Sequence, residues 1–308
     1  MMQDSSQKTK AILAALFVTV LWATSWVLIK IGLKDIPPIL FVGMRYCLAF
    51  ICLIPLFIRQ TRNKNAQPLT KSLVFRLLVL GLLLYAVTQG ASYIGLSRLP
   101  AITTSLILSF ISIFTALLGI VFLREKPAAI QWLGLGLSIA GAYTYFSIND
   151  IYTNDWIGIL IVFGGVLAAA FAAVLGRDIN QNSGLHPIQI TTISMGSGGI
   201  LLLVTGLLFE QMPALSWQSI LIILWLAVVN TAFAFTLWNW TMKFISAVES
   251  TVINGAMQVE IPILAVIFLG EKLNLQQLIG LILTVFGIFI VQTGKTCRWG
   301  KKIKPQPQ

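Results

Sequence analysis

One acid stands out by where it falls. Glu260, in the stretch VEIPILAVIFLGEK, falls near the middle of the apolar span 246–269, long enough to cross a bilayer. A charge at that depth costs at least about 2.5–3.5 kcal/mol on insertion scales, so acids there are rare and tend to serve ions or substrates. A carboxylate in an apolar cavity holds protons more tightly than in water, and is able to load and release one as the cavity changes side. Pro262, two residues on, removes a backbone donor and is expected to open the helical ladder there, freeing carbonyls beside the acid. The alternative is a neutral or paired structural glutamate that ties two helices together. Arg45 is a cation well inside a span, seven residues and about 10 Å from its outer end at ~1.5 Å per residue. A guanidinium there suits a substrate carboxylate, or it snorkels or pairs with a structural acid.

Neutral polar and aromatic residues recur at helical spacing. Trp22, Trp26 and Lys30 are four apart in the first apolar run, with Ser25 adjacent, and Tyr85, Gln89 and Tyr93 repeat that interval in the third. Asn230 and Trp238 are eight apart in the eighth run, and Asn254 and Gln258 four apart in the ninth. The fourth carries a stripe of small residues, Ser105, Ser109, Ser112 and Gly119. Such spacing puts each set on one helical face, and amides and hydroxyls at bilayer depth need partners. The expected substrate cavity is therefore Trp22, Ser25, Tyr85, Gln89, Tyr93, Asn230, Trp238, Asn254 and Gln258, with Glu260 and Arg45 as its charged groups. Glue between helices is the competing reading for each. On an ideal helix Glu260 and Asn254 point about 120° apart, so the two do not face one cavity squarely.

Other chemistries lack their residues. The sequence has no glycine-rich phosphate loop, no HExxH and no zinc spacing, and its three cysteines set no disulfide framework. His186, the single histidine, precedes Pro187 in a loop and reads as exposed. No metal, no cofactor and no enzymatic activity are expected.

Composition sets the medium. The 308 residues are 57% hydrophobic and only 10% charged, against roughly 45–50% and about 25% in soluble domains. The reading is an all-α integral membrane protein with ten spans, near 11–31, 38–58, 73–94, 100–123, 130–147, 156–176, 188–209, 217–240, 246–269 and 275–293. The first run continues to Ile31, past the length of a signal-peptide core. Net charge is +11, but the basic residues cluster between apolar runs, which indicates orientation in the bilayer rather than nucleic-acid binding. With the N-terminus inside, sixteen Lys and Arg residues fall on the cytoplasmic side and four outside, namely Lys30, Lys34, Arg98 and Lys272. Both termini are then cytoplasmic. Trp132, Trp156, Trp217 and Trp299, near helix ends, read as interface anchors.

Two stretches match when slid by 146 positions. SIFTALLGIVFLREKPAAIQWLGLGLSIAG (112–141) and QVEIPILAVIFLGEKLNLQQLIGLILTVFG (258–287) agree at 10 of 30 places, with Glu125, Gln131, Gly134 and Gly141 falling on Glu271, Gln277, Gly280 and Gly287. Glycines seven apart share a face, where a neighbouring helix can come close. The Glu-Lys turns read as caps or gates. The organisation expected is a cytoplasmic N-terminus (1–10), two five-helix repeats (11–147 and 156–293) and a basic cytoplasmic tail (294–308). Five spans per repeat is odd, so the second repeat is inverted relative to the first, an arrangement suited to alternating access around a central site. The tail reads as a solvated orientation signal, with binding to anionic lipid as its alternative.

The chain resembles the drug/metabolite transporter superfamily, EamA type, over about residues 11–293. The resemblance is carried by LWATSWVLIK (21–30), by Pro37-Pro38 with Arg45 opening the second span, and by the two repeated stretches with their Glu-Lys turns. It departs at Ser112 and Gln258, where the family commonly has proline thirteen residues before each turn glutamate. Membership implies ten helices in two inverted repeats and solute movement across the cytoplasmic membrane, often export of amino acids or related metabolites. It also makes a structural role the preferred reading for Arg45. The expected function is a secondary transporter of a small metabolite working in the lipid bilayer. Efflux of cationic drugs by proton exchange, or lipid flipping, is the alternative.

Overall fold

The structure, a computed structural model, describes residues 2–61, 69–123, 128–146, 155–242, 244–245 and 247–294. Glu125, Trp299 and the basic tail from Lys295 lie outside the described residues. What is described is helical, without a strand: α1 (Met2–Gly32), α2 (Pro38–Thr61), α3 (Lys71–Gly81), α4 (Gly90–Arg98), α5 (Ala101–Ser109), α6 (Ile111–Leu123) and α7 (Ala129–Tyr145). There follow α8 (Trp156–Asn182), α9 (Pro187–Phe209), α10 (Trp217–Ala227), α11 (Ala234–Thr241), α12 (Ala247–Gly255), α13 (Met257–Leu269) and α14 (Leu275–Gly294). Among the described residues, eight helical stretches are long and apolar enough to cross a membrane, and Ile253–Leu269 is a shorter apolar helix. α7 has 17 residues, about 25 Å at ~1.5 Å per residue and just under a bilayer core. Large apolar side chains such as Phe209, Leu208 and Trp217 are exposed, as lipid contact requires.

Polar residues stop these helices where the apolar runs end. Asp155 caps α8, its Oδ1 accepting from Ile157 N and Gly158 N at 3.1 Å each. The Arg98 guanidinium donates to the same carboxylate and holds it below the usual carboxylate range. Ser216 caps α10 by accepting from Ser219 N at 3.1 Å. His186, exposed as expected, accepts from Ile188 N at 3.3 Å and so caps α9.

The two halves exchange helices. α1 packs against α11, α12 and α13, while α8 packs against α4, α5 and α6, the elements 146 positions earlier. α7 and α14 run antiparallel in close contact along the repeated glycines: Gly134 faces Gly287, and Gly141 faces Gly280 and Thr284. α2 and α9 are likewise antiparallel, with Gly206 on Leu40, Gly43 on Leu203 and Gly199 on Tyr46. Backbones approach this closely only where a Cβ is missing.

Two departures from regular helix recur at the repeat interval. α3 and α4 are joined by a π-helical stretch, Leu82–Gln89, and α10 and α11 by another, Val228–Phe233. The spans expected to run unbroken over 100–123 and 246–269 are instead each split by a single turn residue, Phe110 and Ala256. Phe110 N bonds Ile107 O at 3.1 Å and Ala256 N bonds Ile253 O at 3.0 Å, both three residues back rather than four. The break expected at Pro262 does not occur, and α13 runs through it. The ring still withholds the N–H that would bond the Gln258 carbonyl four residues back, so one carbonyl is freed without ending the helix.

Carboxylates of the second half cap helices of the first. Glu210 accepts from Ile39 N and Leu40 N at 3.1 and 2.7 Å, at the start of α2. Glu271 accepts from Ala101 N and Ile102 N at 2.5 and 3.0 Å, at the start of α5. Lys30 meets the other side of that turn, donating to Leu96 O and Leu99 O at 2.5 and 2.6 Å. Negative charge at a helix N-terminus and positive charge at a C-terminus both oppose the helix dipole. Glu271→Ala is expected to cost about 1–2 kcal/mol, read as faster amide hydrogen exchange at Ala101 and Ile102. Unchanged exchange at both amides would show that the cap carries no stability.

Candidate substrate site

The candidate site forms where α1 meets the second π stretch and α13. Thr19 is fully buried on α1. Its hydroxyl lies 2.8 Å from Leu16 O and donates to Glu260 Oε1 at 3.1 Å. Glu260 stands in the first turn of α13, just past the break at Ala256, its own N–H bonded to Ala256 O at 2.9 Å. Its other oxygen, Oε2, is buried with no hydrogen-bond partner among the described residues. In the first repeat the matching position is Phe114, so the two halves share a break but differ in charge.

Three residues along α1 from Thr19, on the same side, Trp22 turns to the second π stretch. Its indole N–H donates to Asn230 O at 3.1 Å. That carbonyl is spared because the N–H of Ala234 bonds Val229 O and Thr231 O rather than Asn230 O four back. π-helical turns often mark functional positions for this reason. The Trp22 ring packs 5.3 Å from Phe235 and 5.2 Å from Trp238. Asn230 is fully buried. Its Nδ2 donates to Leu21 O and lies 3.5 Å from Thr24 Oγ1, while its Oδ1 has no partner among the described residues.

Arg45 belongs to a second cluster. Its Nε donates to Thr231 Oγ1 and its Nη1 to Tyr93 Oη, both at 3.1 Å, and the guanidinium lies 5.4 Å from the Tyr46 ring centroid. The side chain is buried and neither snorkels nor meets an acid among the described ion pairs. Tyr85 joins this cluster edge-on to Tyr46, ring centroids 5.2 Å apart. Thr231 bridges the clusters, since it follows Asn230 in the same π stretch and also donates to Leu226 O at 2.8 Å.

The structure thus brings together Trp22, Asn230, Trp238 and Glu260 in one place, and Arg45, Tyr85 and Tyr93 in another. Ser25 is buried and its hydroxyl turns back to Trp22 O at 2.5 Å. Gln89 is half-buried at the end of the first π stretch. Asn254 is exposed. Gln258 lines a different feature, an apolar groove of about 640 Å³ between α13 and α14 with Pro262, Ile263 and Phe286. Thr19, Thr231 and Phe235 are site residues that spacing alone passed over. Thr19 was within reach, being three residues before Trp22, whereas Thr231 and Phe235 depend on the π register. No group of three or more His, Cys, Asp or Glu able to hold a metal occurs among the described residues.

Known proteins share this architecture. The EamA-like transporter family profile matches twice, at residues 9–147 and 156–293. An uncharacterized transporter of Bacillus subtilis, YoaV, is 26% identical over 289 residues, covering 91% of this chain and 96% of that one. The uncharacterized inner membrane transporter YedA of Escherichia coli is 25% identical, covering 90% and 88%. A probable amino-acid metabolite efflux pump of Escherichia coli is 24% identical over 306 residues, covering 94% and 96%. A solved crystal structure superposes with a TM-score of 0.64 at 16% identity, over 92% of this chain and 96% of that one, a likeness of fold. With two profile matches spanning nearly its whole length and apolar helices throughout, the chain is a multi-pass membrane transporter belonging to the EamA-like family of the drug/metabolite transporter superfamily.

Proposed function

We propose that the protein is a secondary transporter exporting a small metabolite, an amino acid or related compound, by alternating access around the Thr19–Trp22–Asn230–Glu260 site. The observation that carries this is the paired helix breaks at Phe110 and Ala256, with Glu260 in the first turn after the second. Discontinuous helices at equivalent places in two repeats are where such transporters hold their solutes and ions. The reading includes ten spans, repeats at 11–147 and 156–293 inverted across the bilayer, and both termini in the cytoplasm. The Escherichia coli relative named as a probable amino-acid metabolite efflux pump supports the solute class.

Counterflow tests it. Proteoliposomes loaded with an unlabelled mixture of the twenty amino acids are expected to accumulate at least one labelled amino acid at a rate protein-free liposomes lack. Absence of counterflow for all twenty would sink the amino-acid reading. A second reading, lipid movement, draws on the groove between α13 and α14, whose exposed apolar rim includes Val259, Ile263 and Phe286. Transbilayer movement of a labelled phospholipid in the same liposomes, without counterflow, would favour it.

A further inference from the structure

Several donors around Glu260 and Asn230 are already engaged. The indole N–H of Trp22 goes to Asn230 O, the amide nitrogen of Asn230 to Leu21 O, and the Thr19 hydroxyl to Glu260 Oε1. The hydroxyls of Thr24 and Ser25 turn to the carbonyls of Leu21 and Trp22, at 2.7 and 2.5 Å. Glu260 Oε2 and Asn230 Oδ1 are both buried and without a partner among the described residues, as is Gln258 Oε1 beside the groove between α13 and α14. Thr19, which holds Glu260, and Trp22, whose indole bonds Asn230 O, are three residues apart on one face of α1, so Glu260 and Asn230 are held along the same turn of that helix. A buried acceptor left unmade is costly, and a buried carboxylate without a counter-charge more so.

What completes such a site must donate hydrogen bonds and carry positive charge. A carboxylate or phosphate would face like charge at Glu260, and the guanidinium that would balance it, Arg45, bonds Tyr93 and Thr231 instead. A hydroxyl would satisfy one oxygen and leave the charge. The Trp22 ring, which packs beside Phe235 and Trp238, adds an aromatic face of the kind that attracts organic cations. We infer that this site, read above as the transport site, recognises the ammonium group of its substrate through Glu260 Oε2 and Asn230 Oδ1, with the adjoining carbon body against Trp22. The inference rests on that reading and narrows it to amines and ammonium-bearing metabolites.

Thermal unfolding of the detergent-solubilised full chain tests it with three probes of one shape: 2-phenylethylammonium, 2-phenylethanol and 3-phenylpropanoate. The ammonium alone is expected to raise the unfolding temperature at saturation, by about 3 °C or more. Glu260→Gln is expected to abolish that shift, and Trp22→Leu to weaken apparent affinity about fivefold or more. Thr19→Val, which leaves the carboxylate charge in place, is expected to keep a reduced shift and serves if Glu260→Gln does not fold. The inference is overturned by no shift with the ammonium, by an equal or larger one with the alcohol or carboxylate, or by a shift with sodium over potassium that added ammonium does not change. A carboxylate or alcohol shift lost in Glu260→Gln would overturn the ammonium assignment yet leave the site. Counterflow that survives Glu260→Gln undiminished would overturn the site itself.

Discussion

Gly141→Leu is expected to part α7 from α14 and to destabilise the protein by more than about 4 kcal/mol, the range reached by severe overpacking and lost core contacts. A Cβ on Gly141 would meet Thr284 Oγ1 at 2.5 Å and Gly280 O at 2.8 Å, and the backbone nitrogen of Thr284 closer still. From the other side, a Cβ on Gly287 would lie 2.6 Å from both Gly134 O and Ser138 N. All but Thr284 Oγ1 are main-chain atoms of two packed helices, so no rotamer change relieves the clash, and the helices must separate along their length. Even Gly141→Ala is expected to cost about 1–3 kcal/mol. Gly136 supplies the contrast on the same helix. Nothing lies within 4 Å of its added Cβ, so Gly136→Ala is expected to be neutral or stabilising by up to about 1 kcal/mol, the helix-propensity gain. Thermal unfolding of the three variants measures this, and equal effects at positions 136 and 141 would refute the glycine seam.

Glu260→Gln is expected to lower counterflow by about a hundredfold while leaving the unfolding temperature unchanged or raised. The amide keeps the shape and still accepts from Thr19, now 3.1 Å from Oε1, so the fold has no reason to change. Removing the charge relieves a burial cost of about 2.5–3.5 kcal/mol. A charge pair between substrate and carboxylate near 4 Å is worth about 4 kcal/mol at intermediate dielectric, and losing most of it gives the factor stated. Opposite signs for transport and stability separate a substrate-binding glutamate from a structural one, whose loss would lower both. Glu260→Asp keeps the charge but withdraws it by one methylene from Thr19, and is expected to retain part of the activity.

Much of this was legible in the chain. The Glu-Lys turns read as caps or gates, and Glu271 caps α5, while Glu125 lies outside the described residues. The glycines seven apart mark the faces on which α7 and α14 meet. Trp22 and Asn230, chosen from separate runs by spacing alone, touch in space. The misses have one character. Asn254 was grouped with Gln258 because four residues make a turn, yet Asn254 is exposed and Gln258 lies on the lateral groove. For Arg45 the chain offers a substrate carboxylate, the interface or a structural acid, with a structural role preferred, and the partners it meets are a phenol and a hydroxyl.

The sequence by itself determined the medium, the helical class and the duplicated plan, because apolar content, run length and a shared 146-residue interval are properties of one chain read in order. Tertiary structure alone decided where the helices depart from regularity. Neither proline nor glycine stands at Phe110 or Ala256, and the two π stretches, LLLYAVTQ and VVNTAF, share almost no residues. Yet all four irregularities recur at the repeat interval. Gly255 precedes the Ala256 turn, but neither glycine nor proline adjoins Phe110, so local propensity does not place both breaks. These turns persist because packing against the exchanged helices α1 and α8 over-determines them, and the carbonyl of Asn230 and the first turn bearing Glu260 are set by that packing.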